Sequence, residues 1–332
     1  MATIGKSYLT LKDMYSQMEG DGKVTATIID LFKTSNVLLE DAIAVECNDG
    51  TSHKTTVRNG LPSPQFRNFY QGVECQKGDY TSVTDTTSML DDYSLVDKKL
   101  ADINGNTAQF RLNEAEAHIQ GMNKTVKTNI FYGNKGKNKS AFDGFATRYN
   151  KLSDKEGELG YQVINGGGAG NNNTSIYFIT WGDRDAHLIY PKGSKAGLQR
   201  EDKGQVTAQD KDGRDFEAYR DYFSWDVGLS LRNYRSSGRI ANIDVTKLGT
   251  ESAADLIDLM VDMYYRIEEQ AKNGKTIIYV NNTIRTYLHK QAMNKENVNL
   301  LIDQAAGKPV VNFLGLPIKL CSEILNTEAK VA

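Results

Sequence analysis

The sequence predicts an α+β fold, and three features of the 332-residue chain support this class. They are a long helical pattern over 106–132, an extended region rich in Thr and Val over 42–100, and an alternating strand and helix pattern from 252 onward. The helix and the extended region lack the apolar residues needed for cores of their own. We therefore expect a compact α/β part accompanied by elongated elements.

The helical pattern places apolar residues at alternating steps of three and four along one narrow face. Gly133 follows the last residue as a C-terminal cap, and Asn106 or Thr107 can cap the start. At about 1.5 Å per residue, the helix would be ~40 Å long. So narrow a stripe predicts a helix lying across a broad, shallow surface. The stripe consists of Ala108, Leu112, Ala115, Ile119, Met122, Val126 and Ile130.

The composition favours a soluble protein that does not bind nucleic acid strongly. The 40 basic and 42 acidic residues give a formal net charge of -2 and form no basic stripe. No apolar run approaches the roughly 18 residues of a membrane span, and the N-terminus lacks a secretory signal, so we expect a cytosolic protein without membrane contact. Cys47, Cys75 and Cys321 lie far apart and predict free thiols.

Two N-terminal segments predict elements that need a covering surface. A short amphipathic helix over 10–18 is marginal by itself and should dock on its own domain or on a neighbour. The segment 24–40 is too apolar to remain a free arm in solution, so we expect it to be covered as well.

The extended region has a period near two residues and predicts a β-hairpin, with turn signals at 48–50 and 60–62. Two interpretations stay open: a small sheet packed on the main body, or a two-stranded arm stabilised only by another subunit. In the second, apolar side chains near the tip are buried between subunits and two arginines form a polar rim. These candidate inter-subunit residues are Arg58, Leu61, Phe66, Arg67, Phe69 and Tyr70.

Two segments could carry chemistry, and the sequence favours a structural role for both. The glycine-rich loop 166–170 could cradle a phosphate, but it lacks a P-loop ending and precedes a strand, which favours a flexible connection. Asp183, Asp185 and His187 could hold a metal, but no second cluster completes a site, which favours a surface ion-pair turn. We therefore expect no catalytic residue, cofactor or metal; the alternative is a soluble α/β enzyme that uses both segments.

Residues 216–245 alternate strongly and predict a long antiparallel strand pair with a turn at 236–238. The charged side chains of this segment should line one face, either solvated or facing a partner. They are Arg220, Asp221, Asp226, Arg232, Arg235 and Arg239. From Ser252 onward, a helix, a strand, a second helix and a last strand predict a self-sufficient β-α-β domain.

Several phrases carry a resemblance that covers essentially the whole chain. They are VRNGLPSPQFRNFYQG, NIFYG followed by FDGF, LIYPKG with AGL, WDVGLSLRNYRSSGRIANID, and GLPIKLCSEILNTEA. With the order of the elements, they make the chain resemble the major capsid protein of tailed bacteriophages, which has the Hong Kong 97-type shell fold, and more narrowly the short-tailed-phage branch. The shared order carries more of this likeness than any single phrase.

The resemblance implies a division into four parts. These are an N-terminal arm (1–44), an extended loop (45–91), a peripheral domain with the long helix as its spine (92–148 and 215–248) and an axial domain (149–214 and 249–332). It implies a structural protein, not an enzyme, that self-assembles as hexamers and pentamers into an icosahedral head shell enclosing double-stranded DNA.

The resemblance also implies partners. Besides itself, the chain would meet a portal and a separate scaffolding protein, since no long helical pro-region precedes the arm. A decoration protein is a further candidate partner, and contact with packaged DNA would be weak and independent of sequence. The implied location is the capsid of the virion, assembled in the host cytoplasm.

Overall fold

The computed structural model describes residues 18–19, 24–25, 37–60, 62–103, 107–250, 254–267, 274–292, 300–305 and 308–332. They divide into two compact units. Unit 1 contains the described residues of Met1–Ser35, Met89–Val126 and Lys195–Val227. Unit 2 contains those of Asn36–Ser88, Lys127–Ser194 and Gly228–Ala332.

The strands, in chain order, are β1 (Met18–Glu19), β2 (Val24–Thr25), β3 (Ala44–Glu46), β4 (Ser52–Gly60), β5 (Asp79–Thr86), β6 (Ser88–Asp97), β7 (Val163–Asn165), β8 (Asn173–Trp181), β9 (Ala186–Tyr190), β10 (Gln199–Gln209), β11 (Asp215–Leu231), β12 (Gly238–Asp244), β13 (Lys275–Val280), β14 (Leu300–Ala305), β15 (Lys308–Phe313) and β16 (Leu316–Leu320). The α-helices are α1 (Val37–Asp41), α2 (Lys98–Asp102), α3 (Thr107–Tyr132), α4 (Phe145–Arg148), α5 (Leu256–Ile267) and α6 (Asn282–Ala292). Short 3-10 helices lie at Leu159–Gln162, Tyr234–Ser236 and Val245–Lys247.

Unit 1 packs the first part of α3 against a sheet of β6, β11 and β10. Strand β11 pairs antiparallel with β10 and also pairs with β6. Phe110 of the helix joins Val96 and Leu100 in a small apolar core. About two turns further along the helix, His118 stacks on Phe223 of β11 with ring centroids 5.8 Å apart. These contacts join the helix to β6 and β11.

The long helix predicted from the sequence is confirmed, and Gly133 N closes its end by donating to Asn129 O at 2.8 Å. The predicted apolar stripe is wrong at its first two positions, because Ala108 is exposed and Leu112 is 50% exposed. Phe110 is buried instead, since its ring reaches the small core of unit 1. The buried helix residues are Phe110, Ala115, Met122, Val126, Lys127, Ile130 and Phe131.

Unit 2 is organised around β8, every residue of which is buried. Strand β8 pairs antiparallel with β12 on one side and with β13 on the other, and β13 pairs parallel with β16. Helix α5 places Met260 and Met263 in one apolar cluster with Phe178 of β8. The predicted β-α-β segment is confirmed by the parallel pair β13 and β16, between which α6 lies in the chain.

The predicted pairing within 216–245 is wrong, although both strands exist. Strand β11 pairs with β9, β10 and β6, whereas β12 pairs with β8 and β7. The connection is not a tight hairpin turn but a 3-10 helix at Tyr234–Ser236, which Asn233 caps by accepting from Arg235 N. Alternation identifies a strand but says nothing of its neighbour, and here the neighbours come from distant parts of the chain.

Most of the N-terminal predictions lie outside the described residues, including 10–17 and most of 24–36. Within the described part, Leu38 of α1 is buried. The carboxylate of Asp41, at the end of α1, accepts from Lys319 Nζ at 2.6 Å and from Tyr279 Oη at 3.0 Å. The end of α1 is thus fixed to the sheet of unit 2.

Two further sequence predictions concern the whole chain. Cys47, Cys75 and Cys321 are free cysteines, as predicted. In the described segments, no helix has the combination of length and apolar character that a membrane span requires.

Candidate inter-subunit surface

Strands β4 and β5 form a sheet of their own within unit 2. They pair antiparallel from Ser52 opposite Thr86 to Gly60 opposite Asp79, with an irregularity before Gly60. No other strand among the described residues pairs with either of them. The predicted hairpin is therefore confirmed as a two-stranded ribbon, and a ribbon of two strands has no core of its own.

The loop between these strands contains a defined turn at residues 68–71, near its middle. Residues 62–78 contain no helix or strand, and nearly all are exposed. Gln71 N donates to Asn68 O at 3.2 Å, and Asn68 N donates to the Gln71 side chain at 3.2 Å. Tyr70 lies inside this turn at φ 66°, a left-handed conformation that is unusual for a bulky residue.

Three aromatic side chains at this tip are covered by nothing. Phe66, Phe69 and Tyr70 have relative exposures of 108%, 96% and 107%. Each such ring can bury roughly 150–250 Å² when it meets a partner. Large exposed apolar surfaces are a feature of interaction sites, and these three rings lie within five residues of one another in the chain.

Of the three remaining predicted contact residues, the structure describes the side chain of Arg67 but not those of Arg58 and Leu61. Arg67 is exposed, and its Nη1 donates to Gln71 O at 3.3 Å, so it braces the turn as well as facing solvent. Arg58 lies in β4 opposite Tyr80, but its side chain is outside the described part of the structure. Leu61 also lies outside the described residues.

At the end opposite the tip, the ribbon is attached to the rest of unit 2 through buried polar side chains. His53 of β4 and Asp85 of β5 are cross-strand partners with exposures of 2% and 7%. Arg148 Nη2 donates to Asp85 Oδ1 at 2.7 Å and to Leu229 O at 2.9 Å. Sequence reasoning missed this attachment because Asp85 and Arg148 are far apart in the chain and neither lies in a recognisable motif.

A second contact at the base of the ribbon involves two histidines. The rings of His53 and His187 meet edge to face with centroids 5.6 Å apart, and Arg232 Nη2 lies against His53 Nε2. Burial, Arg232 and His53 lower the pKa of His187 to about 4, although Asp183 acts in the opposite direction. Burial and then Arg232 lower the pKa of His53 as well. Both imidazoles are therefore neutral at pH 7.

The surface ion-pair turn predicted at 183–187 is right for Asp183 only. Asp183 is exposed and lies 3.6 Å from Arg232 Nη1, but Asp185 and His187 are 1% and 0% exposed. They are buried because the turn leads directly into β9, a strand inside the sheet of unit 2. Among the described residues, no group of three or more His, Cys, Asp or Glu side chains is arranged to hold a metal ion.

Two residues of the glycine-rich loop are packed against β12, while positions 167, 169 and 170 are exposed. Gly166 N donates to Ala241 O and Gly168 N donates to Asn242 O, both at 2.7 Å. These amides are therefore not free to bind a phosphate. An added Cβ at Gly168 would collide with the Asn173 side chain of β8 and with the Asn242 carbonyl oxygen of β12, so the glycine permits a close approach to both strands.

Two charges that the sequence placed on a solvated or partner-facing surface are buried, which corrects that prediction. Arg239 is 3% exposed, and its Nη2 donates to Glu328 Oε2 at 2.8 Å. In unit 1, Asp221 is 2% exposed and lies 3.1 Å from both Arg111 and Arg200. Strand alternation could not reveal these partners, because they come from remote segments.

The chain is similar to known proteins over nearly its whole length. A family model described as major capsid protein GP7 matches residues 19–332. A chain in the near-atomic structure of bacteriophage epsilon15, derived from cryo-EM and modelling, is 40% identical with a TM-score of 0.78, over 100% of this chain and 99% of that chain. The bacteriophage JBD30 capsid is 10% identical with a TM-score of 0.49, over 88% and 92% of the two chains. A comparison with curated proteins finds no match.

The family model and the full-length match to the epsilon15 chain define a structural shell protein of the Hong Kong 97 type, as the resemblance implied. The chain belongs to the family of GP7 major capsid proteins. It is a major capsid protein of a tailed phage, it assembles into multimeric shells, and its place is the capsid of the virion. The proteins it matches are structural and not enzymes, and the alternative of a soluble enzyme is without support.

Proposed function

We propose that the tip of the β4–β5 hairpin is a contact between capsid subunits. The observation that carries this proposal is the full exposure of Phe66, Phe69 and Tyr70 on a ribbon that has no core. Burying one such side chain is worth roughly 1.5 to 3 kcal/mol, and a second subunit can supply the apolar surface that the ribbon lacks. Leu61 would add to this contact, and Arg58 and Arg67 would form a polar rim whose contribution is smaller and sensitive to salt.

The assembly we propose is an icosahedral head shell of hexamers and pentamers that encloses double-stranded DNA. A separate scaffolding protein, a portal and a decoration protein are its further partners, and assembly takes place in the host cytoplasm. The net charge of -2 supports only weak, sequence-independent contact with packaged DNA. Three free cysteines, two of them buried, are typical of a protein made in a reducing compartment.

We also propose the functional division that the resemblance implies. It comprises an arm (1–44), an extended loop (45–91), a peripheral domain (92–148 and 215–248) and an axial domain (149–214 and 249–332). The separate β4–β5 sheet supports the extended loop, and the long helix α3 supports the spine of the peripheral domain.

The tip can be tested by comparing subunit stability with particle formation. Phe66→Ala and Phe69→Ala should each weaken association by about tenfold to a hundredfold, because roughly 1.5 to 3 kcal/mol of burial is lost at the interface. The melting temperature of the unassembled subunit should not change, since both rings are fully exposed there. Particle yield is measured by sedimentation and melting by calorimetry.

A matched control is Tyr265→Ala, which removes an aromatic ring that is 66% exposed on α5, away from the hairpin. It should leave particle yield unchanged. If the tip variants instead lower the melting temperature while yield per folded subunit stays constant, the hairpin is an internal sheet and the proposed contact is wrong.

A further inference from the structure

The hairpin is held to the remainder of unit 2 by side chains that can ionise. On the β5 side, Arg148 holds the buried carboxylate of Asp85. On the β4 side, Arg232 holds the imidazole of His53, and His187 lies behind it in β9. Lys135 Nζ also donates to Thr86 Oγ1 at 3.1 Å, and Lys192 N donates to Gly50 O at 2.8 Å beside the ribbon. The ribbon is attached at its base and exposed at its tip, so the ionisable contacts are part of what holds the base in place.

The contact between Arg232 and His53 requires a neutral imidazole. A guanidinium group has only donors, so Nε2 of His53 must accept the hydrogen bond and the ring proton must lie on Nδ1. A second proton would place an N–H against an N–H, next to a permanent positive charge. Protonation therefore removes the bond and replaces it with repulsion.

Few negative charges are available to offset that repulsion. The charged and titratable groups around His53 are Asp85, Arg148, Asp183, Asp185, His187 and Arg232. With neutral imidazoles, the two arginines balance the two buried carboxylates. The side chain of Asp183 is 72% exposed, so solvent and salt screen its charge. Two imidazolium groups would thus leave an excess of positive charge in a buried space.

We propose that this cluster is an acid-sensitive hinge: protonation of His53 and His187 breaks the contact with Arg232 and releases the base of the hairpin. The inference rests on the proposed role of the tip, because a released base lets the tip change its position against a neighbouring subunit. The shell contact would then respond to pH through residues that do not touch the neighbour.

The direction of the pH effect follows from the shifts at the two histidines. Their pKa values are lowered from the ordinary 6.5, that of His187 to about 4. The released state therefore binds more protons than the fixed state between these values, and the fixed state loses stability as the pH falls. Above pH 6.5 the hinge is closed, and it opens as the pH falls towards about 4.

A spin label on the ribbon tests the hinge in the full-length, unassembled chain. Thr84 is exposed and lies opposite Lys54, next to the pair of His53 and Asp85, so Thr84→Cys in a Cys75→Ser background gives one accessible labelling site. The other two cysteines are buried. Electron paramagnetic resonance between neutral pH and about pH 4 should show a severalfold rise in label mobility.

Two glutamine variants separate the hinge from other acid effects. His53→Gln retains an acceptor and cannot titrate, so its label should stay immobile over the whole range. His289→Gln makes the same change in α6 and should retain the full response. Should His53→Gln fold poorly, Arg232→Gln serves instead: its amide can donate to the neutral imidazole or accept from the protonated one, so the acid response should be lost.

The proposal is overturned by an equal response in His53→Gln, by no response in the unmodified cluster, or by loss of the circular dichroism signal over the same pH range. A failure of the proposed tip contact can be distinguished from a failure of the hinge. The labelled Phe66→Ala variant should show the same pH response as the parent, whatever its particle yield, because its base is intact.

Discussion

At the scale of single residues, two buried ion pairs link parts of the interior of unit 2. Arg239 and Glu328 form an ion pair whose side chains are both 4% exposed. Lys127 of α3 pairs with Glu323 at 2.9 Å, and these side chains are 1% and 4% exposed. A charge in such a place is tolerated only when it is paired and hydrogen-bonded. Both pairs fix the C-terminal segment, which contains the two glutamates, to the rest of the unit.

Removing one partner of the buried pair should therefore be costly. Arg239→Ala leaves Glu328 buried without its cation, and we expect a loss of about 3 to 5 kcal/mol in the free energy of unfolding. Lys155→Ala is the matched control, because its pair with Glu158 is 3.9 Å long and exposed at both ends, and exposed pairs contribute roughly 0 to 1 kcal/mol. Urea unfolding monitored by fluorescence measures both, and equal losses would contradict the assignment.

At the scale of elements, the long helix and the hairpin share a property: neither has a core of its own. The buried stripe of α3 is narrow, and the glycine at 121 is exposed with open space where a Cβ would lie. The β4–β5 ribbon has two strands and an aromatic tip without cover. Such elements take their stability from what they lie on.

The helix must stay continuous to serve as the spine that we propose, and Ile119→Pro tests this role. A proline there removes one backbone hydrogen bond and clashes with the preceding turn, at a cost of ~3 kcal/mol or more, so soluble assembly should be abolished. Gly121→Ala, two residues away, is the control and should stabilise the helix by about 0.5 to 1 kcal/mol. Particle counts by electron microscopy decide the outcome, and normal particles from the proline variant would refute the structural role.

For the whole molecule, assembly into a shell is the function, and repeated contacts between subunits carry it. A capsid protein multiplies modest contacts over many copies, so the shell is stable without any single strong site. The described segments contain no grouping of side chains suited to a metal ion. The sequence-based prediction that Asp183, Asp185 and His187 bind no required metal can be tested on the whole assembly.

This leads to a prediction for assembly in the presence of a chelator. Particle yield should be unchanged when divalent ions are removed, because Asp185 and His187 are buried and Asp183 is paired with Arg232. Sedimentation with and without chelator measures the yield. Failure of assembly that one particular divalent ion restores would show that a metal is required after all.

How far the sequence could predict the structure varied with the kind of feature. Periodicity predicted α3, the hairpin and the alternating C-terminal segment, because these patterns depend on neighbouring residues. It also predicted an apolar tip around Phe66 and Phe69. It could not predict that β11 and β12 have separate neighbours, since pairing depends on contacts between remote segments.

The sequence by itself determined the α+β class, the order of the elements, the free thiols and the likeness to a capsid shell protein, because local patterns and shared phrases carry that information. Only the tertiary structure decided which charges are buried. Asp185, His187 and Arg239 look like surface residues in the sequence and lie inside unit 2. A polar residue can be buried where the fold brings it a partner, as Asn233 does for Asp185 and Glu328 does for Arg239, 48 and 89 residues away in the chain.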